Sequence, residues 1–292
     1  MPATDVTFRY GGEIIDIRSV SSDDHLLQIM RNTNSFYERD VLVRINDRIG
    51  ARDHSGAAID AGAFIGTHSL FFSKICKCNP VLSFEANPDT FPVLVRNIKV
   101  NRVEESVSTI NKALGASAGR ATILGGDSSN QGSASIIYES LANRNQIDVT
   151  TIDIEVAAAL TVNQPVALIK IDVEGAELEV LRGSKETIRN HRPILCVEVH
   201  TFRNLVKVLA MLRRHRYWIV DCLGYSPTYI IEPSGAPFFR RRIVNWLWLL
   251  RAALPLPWRR LKWYVGRTAQ ILSTGKWNLP PLDNANKRGD IA

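Results

Sequence analysis

The feature that most constrains this chain is the run Ile59-Asp60-Ala61-Gly62-Ala63-Phe64-Ile65-Gly66-Thr67-His68. A short apolar strand ends beside a carboxylate, a glycine turn follows, and a helical pattern begins at once. Strands that feed directly into helices build parallel sheets with helices on both faces. The same rhythm repeats downstream. Val81 to Glu85 reads as a strand, and the stretch from Pro88 to about Asn101 as a helix. Ser106 to Asn111 and the strongly apolar Val166 to Asp172 are further strands. Glu177 to Asn190 reads as a helix broken at Gly183. Ile194 to Val199 is a strand, Phe202 to Arg214 a helix, and Tyr217 to Cys222 and Thr228 to Glu232 the last strands. Nearly continuous apolar strands are buried on both faces. The expected fold is α/β, a doubly wound, mostly parallel sheet that binds ligands at the carboxyl ends of its strands.

Ahead of this pattern, Val6 to Val20 alternates as a hairpin turning at Gly11-Gly12, and Asp23 to Glu38 reads as one or two helices. Gly119 to Leu124 and Ser133 to Ile137 are lesser strand candidates in a Gly/Ser-rich insertion. We expect an N-terminal extension over 1–50, a central domain over 51–236 and a distinct tail over 237–292. With 292 residues, 45% hydrophobic, such a chain can bury a large core without staples. The four cysteines are expected to be reduced thiols. The N-terminus lacks a basic and apolar leader pattern, and no run is long enough to span a bilayer, so a cytoplasmic location is expected.

The glycine turn admits two nucleotide cofactors. Dinucleotide folds want G-x-G-x-x-G, whereas Gly62 and Gly66 are spaced G-x-x-x-G behind Asp60. Asp-x-Gly-x-x-x-Gly is the pattern of S-adenosylmethionine enzymes, with the aspartate near the methionine end. Gly62 permits a sharp turn and close approach, and the free N–H groups at the helix start suit a polar or anionic ligand group. Glu85, at the next strand end, can accept from both ribose hydroxyls; Asn87 follows within reach of ribose or adenine. Asn111, after the third strand, fits an adenine pocket. At the reacting end, Asp172 and Glu174 lie past a buried strand. Glu198 and His200 share one side of its neighbour by alternation. His200 is the candidate base by residue type. Glu177 is read as a first-turn residue that complements its helix dipole. A divalent ion on Asp172, Glu174, Glu198 and His200 is the lesser reading, and no metal is assigned.

Taken together, Ile59-Asp60-Ala61-Gly62 through Gly66, Phe84-Glu85-Ala86-Asn87-Pro88, Lys170-Ile171-Asp172-Val173-Glu174-Gly175-Ala176-Glu177 and Glu198-Val199-His200 resemble the FkbM family of methyltransferases. The resemblance covers roughly Tyr37 to Glu232. It implies a class I methyltransferase domain with a seven-stranded, Rossmann-like sheet. It also implies S-adenosylmethionine-dependent O-methylation of hydroxyls on polyketides, sugars or other glycans. Asp60, Gly62, Gly66 and Glu85 would then bind the cofactor, and Asp172 and Glu174 would line the reacting end. One departure is Ala63-Phe64, where the family commonly has Ala-Asn. It keeps alive a degenerate fold acting as a tethered binding module; an NAD-dependent sugar-modifying enzyme is disfavoured by the glycine spacing.

The charge is lopsided. From Pro233 onward eleven basic residues face two acidic ones, a local +9 within a total of +7. Trp246, Trp248, Trp258, Trp263 and Trp277 lie in this segment, beside Arg240-Arg241-Arg242, Arg251, Arg259-Arg260 and Lys262. Tryptophan with arginine suits an anionic membrane surface over 238–267. That would add a peripheral association with the inner membrane face and a lipid-linked acceptor. A lid or dimerisation segment is the second reading, and nucleic acid the least favoured.

Overall fold

A computed structural model describes residues 5–21, 24–52, 56–124, 135–137, 146–224 and 226–253, with Val265, Thr268, Ala269 and Leu272. The core is a seven-stranded sheet. Its strands are β3 (Ala57–Ala61), β4 (Val81–Phe84), β5 (Val107–Ile110), β10 (Val166–Ile171), β11 (Ile194–Glu198), β12 (Tyr217–Leu223) and β13 (Thr228–Pro233). They run in the order β12-β13-β11-β10-β3-β4-β5, and β13 alone is antiparallel to its neighbours. The order reverses between β3 and β10, and a doubly wound sheet opens its ligand crevice at such a point. Every residue of β3, β4 and β10 is buried, as the apolar runs require. Helices α3 (Thr67–Lys74), α4 (Phe91–Val100), α6 (Glu177–Arg182), α7 (Lys185–His191) and α8 (Phe202–Leu212) supply the crossovers.

The segment 1–50 is not a separate appendage. β1 (Asp5–Tyr10) and β2 (Glu13–Arg18) form the expected hairpin, with Gly11 and Gly12 at positive φ. Asn97 and Asn101 of α4 then act as a substitute strand. Each side-chain amide both accepts from and donates to the backbone of β2, at Arg18 and Asp16. This satisfies an edge that would otherwise be open to another chain. Phe36 packs edge-on against Phe8 and Phe71, at 5.1 and 5.2 Å between centroids. Helix α1 (His25–Thr33), capped by Asp24, falls within the expected helical stretch.

Helix α2 (Arg39–Gly50) was not expected. Its apolar side chains Val41, Leu42, Ile45 and Ile49 are buried at helical spacing. Arg44 lies 2.9 Å from Asp221 of β12, and Arg48 pairs through two contacts with Glu232 of β13. The insertion also holds more than the two candidate strands. β6 (Ala113–Leu114), β7 (Gly119–Leu124), β8 (Ser135–Ile137) and β9 (Gln146–Thr150) make a second sheet, and α5 (Ile152–Ala159) follows.

The start of the tail is likewise part of the core. Helix α9 (Phe238–Ala253) packs on β12 and α8. Val244 and Trp248 are buried in the same cluster as the sheet. Asn245 accepts a hydrogen bond from the backbone N–H of Ile219 and closes the free edge of β12. Trp258, Trp263 and Trp277 lie outside the described residues. Trp248 is 1% exposed, so Trp248→Ala is expected to cost about 3–5 kcal/mol. Denaturant unfolding checks this; an unchanged midpoint would detach α9 from the core.

Candidate functional site

The glycine turn links β3 to α3. Gly62, Phe64 and Gly66 all have positive φ, at 79°, 50° and 89°. A Cβ at Gly62 would stand 1.8 Å from the carbonyl oxygen of Asp172, so only glycine fits where β3 and β10 open. Four of the turn's donors are taken up within the protein. Gly62 and Ala63 donate to Phe84 O, Gly66 donates to Ala63 O, and Phe64 donates to Glu85 Oε2 at 2.8 Å. These bonds hold the shape of the turn. Phe64 sits in the left-handed region, which asparagine tolerates far better than an aromatic residue. That gives a backbone reason for the family's usual asparagine.

Glu85 is buried at the end of β4, and its Oε1 accepts from Asn87 N at 2.8 Å. Each carboxylate oxygen thus carries one backbone donor and keeps a further lone pair. Burial raises its pKa against the pull of those two N–H groups. Asn87 Oδ1 closes a local turn by accepting from Asp89 N. Asn111 is exposed, and its amide donates to the carbonyl of Glu85, which fixes the strand end.

Asp60 lies within β3. It is wholly buried. Its Oδ2 accepts from Ser69 Oγ at 2.6 Å, and Ser83 Oγ donates to Ser69 in turn. Its other oxygen lies 3.3 Å from Lys170 Nζ. Lys170, which the sequence reading left out, is the junction of the site. Its ammonium donates to Gly62 O at 2.8 Å and lies 3.3 Å from Asp172 Oδ2. Burial pushes Lys170 down, but Asp172, Asp60 and Glu38 together hold its pKa well above the ordinary value.

A small pocket lies beside this junction. Glu38, Val41, Leu42, His68, Lys170, Asp172, Cys196 and Glu198 line it. Burial opposes ionisation of Asp172, but Lys170 and a hydrogen bond from Glu198 bring it down to about 2. Glu198 is the other half of the pair. Burial, the bond to Asp172 and the charge of Asp172 push it up to about 9. Two carboxyl groups in contact share one proton in this way. Glu38 sits at the start of α2 in a left-handed conformation, φ 51°. Burial and Asp172 raise it to about 7. His68 Nε2 is buried without a hydrogen-bond partner, 3.6 Å from Glu38 Oε2. Burial first, then Lys170, lowers His68 to about 4, so it is neutral.

The other expected residues lie at the rim. Glu198 and His200 do share a side, 3.5 Å apart. His200, however, has a side chain 48% exposed and is not among the pocket's lining. Val199, just past β11, is still buried, and the chain reaches the surface at His200. Glu174 is exposed, in a left-handed turn at φ 46°. Glu177 is buried and accepts from Gly175 N, closing that turn. Among the described residues no group of three or more His, Cys, Asp or Glu is arranged to hold a metal ion.

The model of the Methyltransferase FkbM domain matches residues 60–219, more than half the chain and all of this site's strand ends. The chain belongs to the FkbM methyltransferase family. Its class I fold and its use of S-adenosylmethionine follow from that membership and from the sheet order. The hexuronic acid methyltransferase AglP of Haloferax volcanii is 32% identical over 141 residues, 48% of this chain and 54% of that protein. Methyltransferase sdnD of Sordaria araneosa is 28% identical over 155 residues, 44% of this chain and 60% of that one. The matches thus span less than two thirds of these relatives' lengths. The crystal structure of a methyltransferase FkbM from Methylobacillus flagellatus KT superposes with a TM-score of 0.44 at 16% identity, over 72% of this chain and 61% of that one.

The shared proton has a measurable consequence. Glu198 titrates near 9 when folded, against an ordinary 4.5. The folded state therefore holds a proton that the unfolded chain releases. This contribution is complete below pH 4.5 and is lost as pH rises through about 9. Asp172 acts in the opposite sense, from an ordinary 3.8 to about 2, and its contribution is lost only as pH falls through that lower window. Glu198→Gln is expected to raise the melting temperature at alkaline pH and flatten its decline with pH. A variant whose profile parallels the parent chain would refute the shared proton.

Proposed function

We propose that this chain transfers a methyl group from S-adenosylmethionine to a hydroxyl of a sugar, glycan or secondary metabolite. The observation that carries the reading is the family match running through both strand ends that meet at the glycine turn. The sugar acceptor is supported by the relative named as a hexuronic acid methyltransferase. A lipid-linked acceptor would be met at a membrane surface, which suits the basic, tryptophan-rich C-terminal segment. A nicotinamide-dependent enzyme is set aside by the family match. The competing class is a fold retained for binding alone.

The bound cofactor supplies an electrophilic methyl on a sulfonium. The donor set fits it: Glu85 has acceptor lone pairs left for two ribose hydroxyls, and Asp60, Gly62, Phe64 and Gly66 shape the adjoining wall. Asp172 stays ionised at the strand end, a counter-charge for a cationic ligand group. The chain's remaining tasks are to position a hydroxyl and take its proton. The order of titration and the pocket's lining together favour one acceptor of that proton. Asp172 is too acidic to be a good base, and Glu198 already holds a proton. Glu38, near 7, is matched to the task, with neutral His68 3.6 Å away. His200, with an exposed side chain 3.5 Å from Glu198, is the second candidate for the role.

The first test is titration of the purified chain with S-adenosylhomocysteine, where Glu85→Ala should abolish binding. A folded parent chain that binds none would leave only the binding-module reading. With a hexuronic acid acceptor, Glu38→Gln should lower turnover about 100-fold while leaving S-adenosylhomocysteine affinity unchanged. The parent rate should fall below pH 7, as Glu38 gains its proton, and that limb should vanish in the variant. His200→Ala should keep near-parent turnover; a large loss there would return the base to His200.

A further inference from the structure

Helix α9 has two faces with different work. The inner face is accounted for by the fold. Val244 and Trp248 are buried, Asn245 caps the edge of β12, and Arg251 lies over the Trp248 ring at 4.9 Å. The outer face is not. Phe239 is 74% exposed, Ile243 37% and Trp246 61%. They follow one another at i, i+4 and i+7, which places them in one stripe. Half-buried Leu250 continues it at i+11. A helix bound to a soluble domain normally turns polar residues outward, and a contiguous apolar stripe marks a contact surface.

The surroundings of the stripe select its partner. Arg240 and Arg242 are exposed on its flanks, and α9 contains no acidic residue. The sequence that follows adds Arg259, Arg260, Lys262 and Arg267 within a segment of net charge +9. Aromatic and aliphatic side chains between guanidinium groups match the two layers of an anionic membrane surface: acyl chains below, phosphates at headgroup level. Among the described residues no helix is long and apolar enough to cross a membrane. We propose that the outer face of α9 docks the folded domain onto anionic lipid, with Phe239, Ile243 and Trp246 entering the interface and Arg240 and Arg242 meeting the headgroups. Because α9 is fixed to β12 and α8, the domain is held at the surface by a rigid helix. This proposal is independent of the methyl-transfer reading.

The test uses the full chain and flotation with vesicles of phosphatidylcholine, with and without phosphatidylglycerol. The chain should float with the anionic vesicles only, and less at high salt, since exposed charges are screened beyond about 8 Å at physiological ionic strength. A Phe239→Ser/Trp246→Ser double variant should lose at least about tenfold in partitioning while its melting temperature stays at the parent value. An Arg240→Gln/Arg242→Gln variant should lose most of the preference for phosphatidylglycerol. Failure of the parent chain to float, or equal flotation of the double variant, overturns the proposal. A dimer in sedimentation velocity that dissociates in the double variant would overturn it too, giving the face to a second copy of the chain. Titration with S-adenosylhomocysteine on the same samples keeps the cofactor reading separate from either result.

Discussion

A single buried ammonium organises this molecule. Lys170 lies within the fully buried strand β10, where an unpaired charge would be prohibitive. It is tolerated because three acceptors converge on it: Asp60 from β3, the carbonyl of Gly62 and Asp172 at its own strand end. These partners belong to the cofactor turn on one side and the reacting end on the other. The charge that must be neutralised for folding therefore also fixes the two halves of the site relative to each other. Asp60 extends the network through Ser69 and Ser83, so β3, β4, α3 and β10 share one polar seam inside an otherwise apolar core. Breaking a buried pair from one side leaves an uncompensated charge, which ties the site's geometry to the stability of the fold.

The protonation pattern follows from the same seam. With Lys170 beside it Asp172 is ionised, and an ionised Asp172 in contact with Glu198 forces the proton onto Glu198. Glu38, close to Asp172 and away from water, lies between the two in acidity. Its position depends on α2, whose arginines reach β12 and β13. The N-terminal segment is thus structurally committed twice, through these ion pairs and through the amide ladder of Asn97 and Asn101. Asn97 also donates to Ile65 O within the glycine turn, so the hairpin supports the cofactor loop through one side chain.

Much of this was legible in the chain. The strand–turn–helix rhythm, the glycine spacing and the break at Gly183 all appear where the sequence places them, because each rests on local rules: apolar period, turn chemistry and helix capping. What was not legible shares a cause. The N–H groups of Gly62, Ala63 and Phe64 find their partners, Phe84 O and Glu85, on another strand. The burial of Asp60 depends on α3 folding over it. His200 lies two residues past the buried strand β11, with its side chain exposed. Lys170 carried a usable signal, a lysine inside an apolar run, and was passed over. Glu38 carried none, since α2 is recognisable as part of the site only once it is seen against β12 and β13.

The sequence by itself determined the α/β class, the glycine turn and its family, because these depend on residues close together in the chain. It also determined the basic, aromatic character of the C-terminal segment. Tertiary structure decided which ionisable groups meet, which of them keep their protons, and which face of α9 looks outward. Those properties are set by burial and by neighbours far away in sequence, and a carboxyl group's acidity is a property of its surroundings.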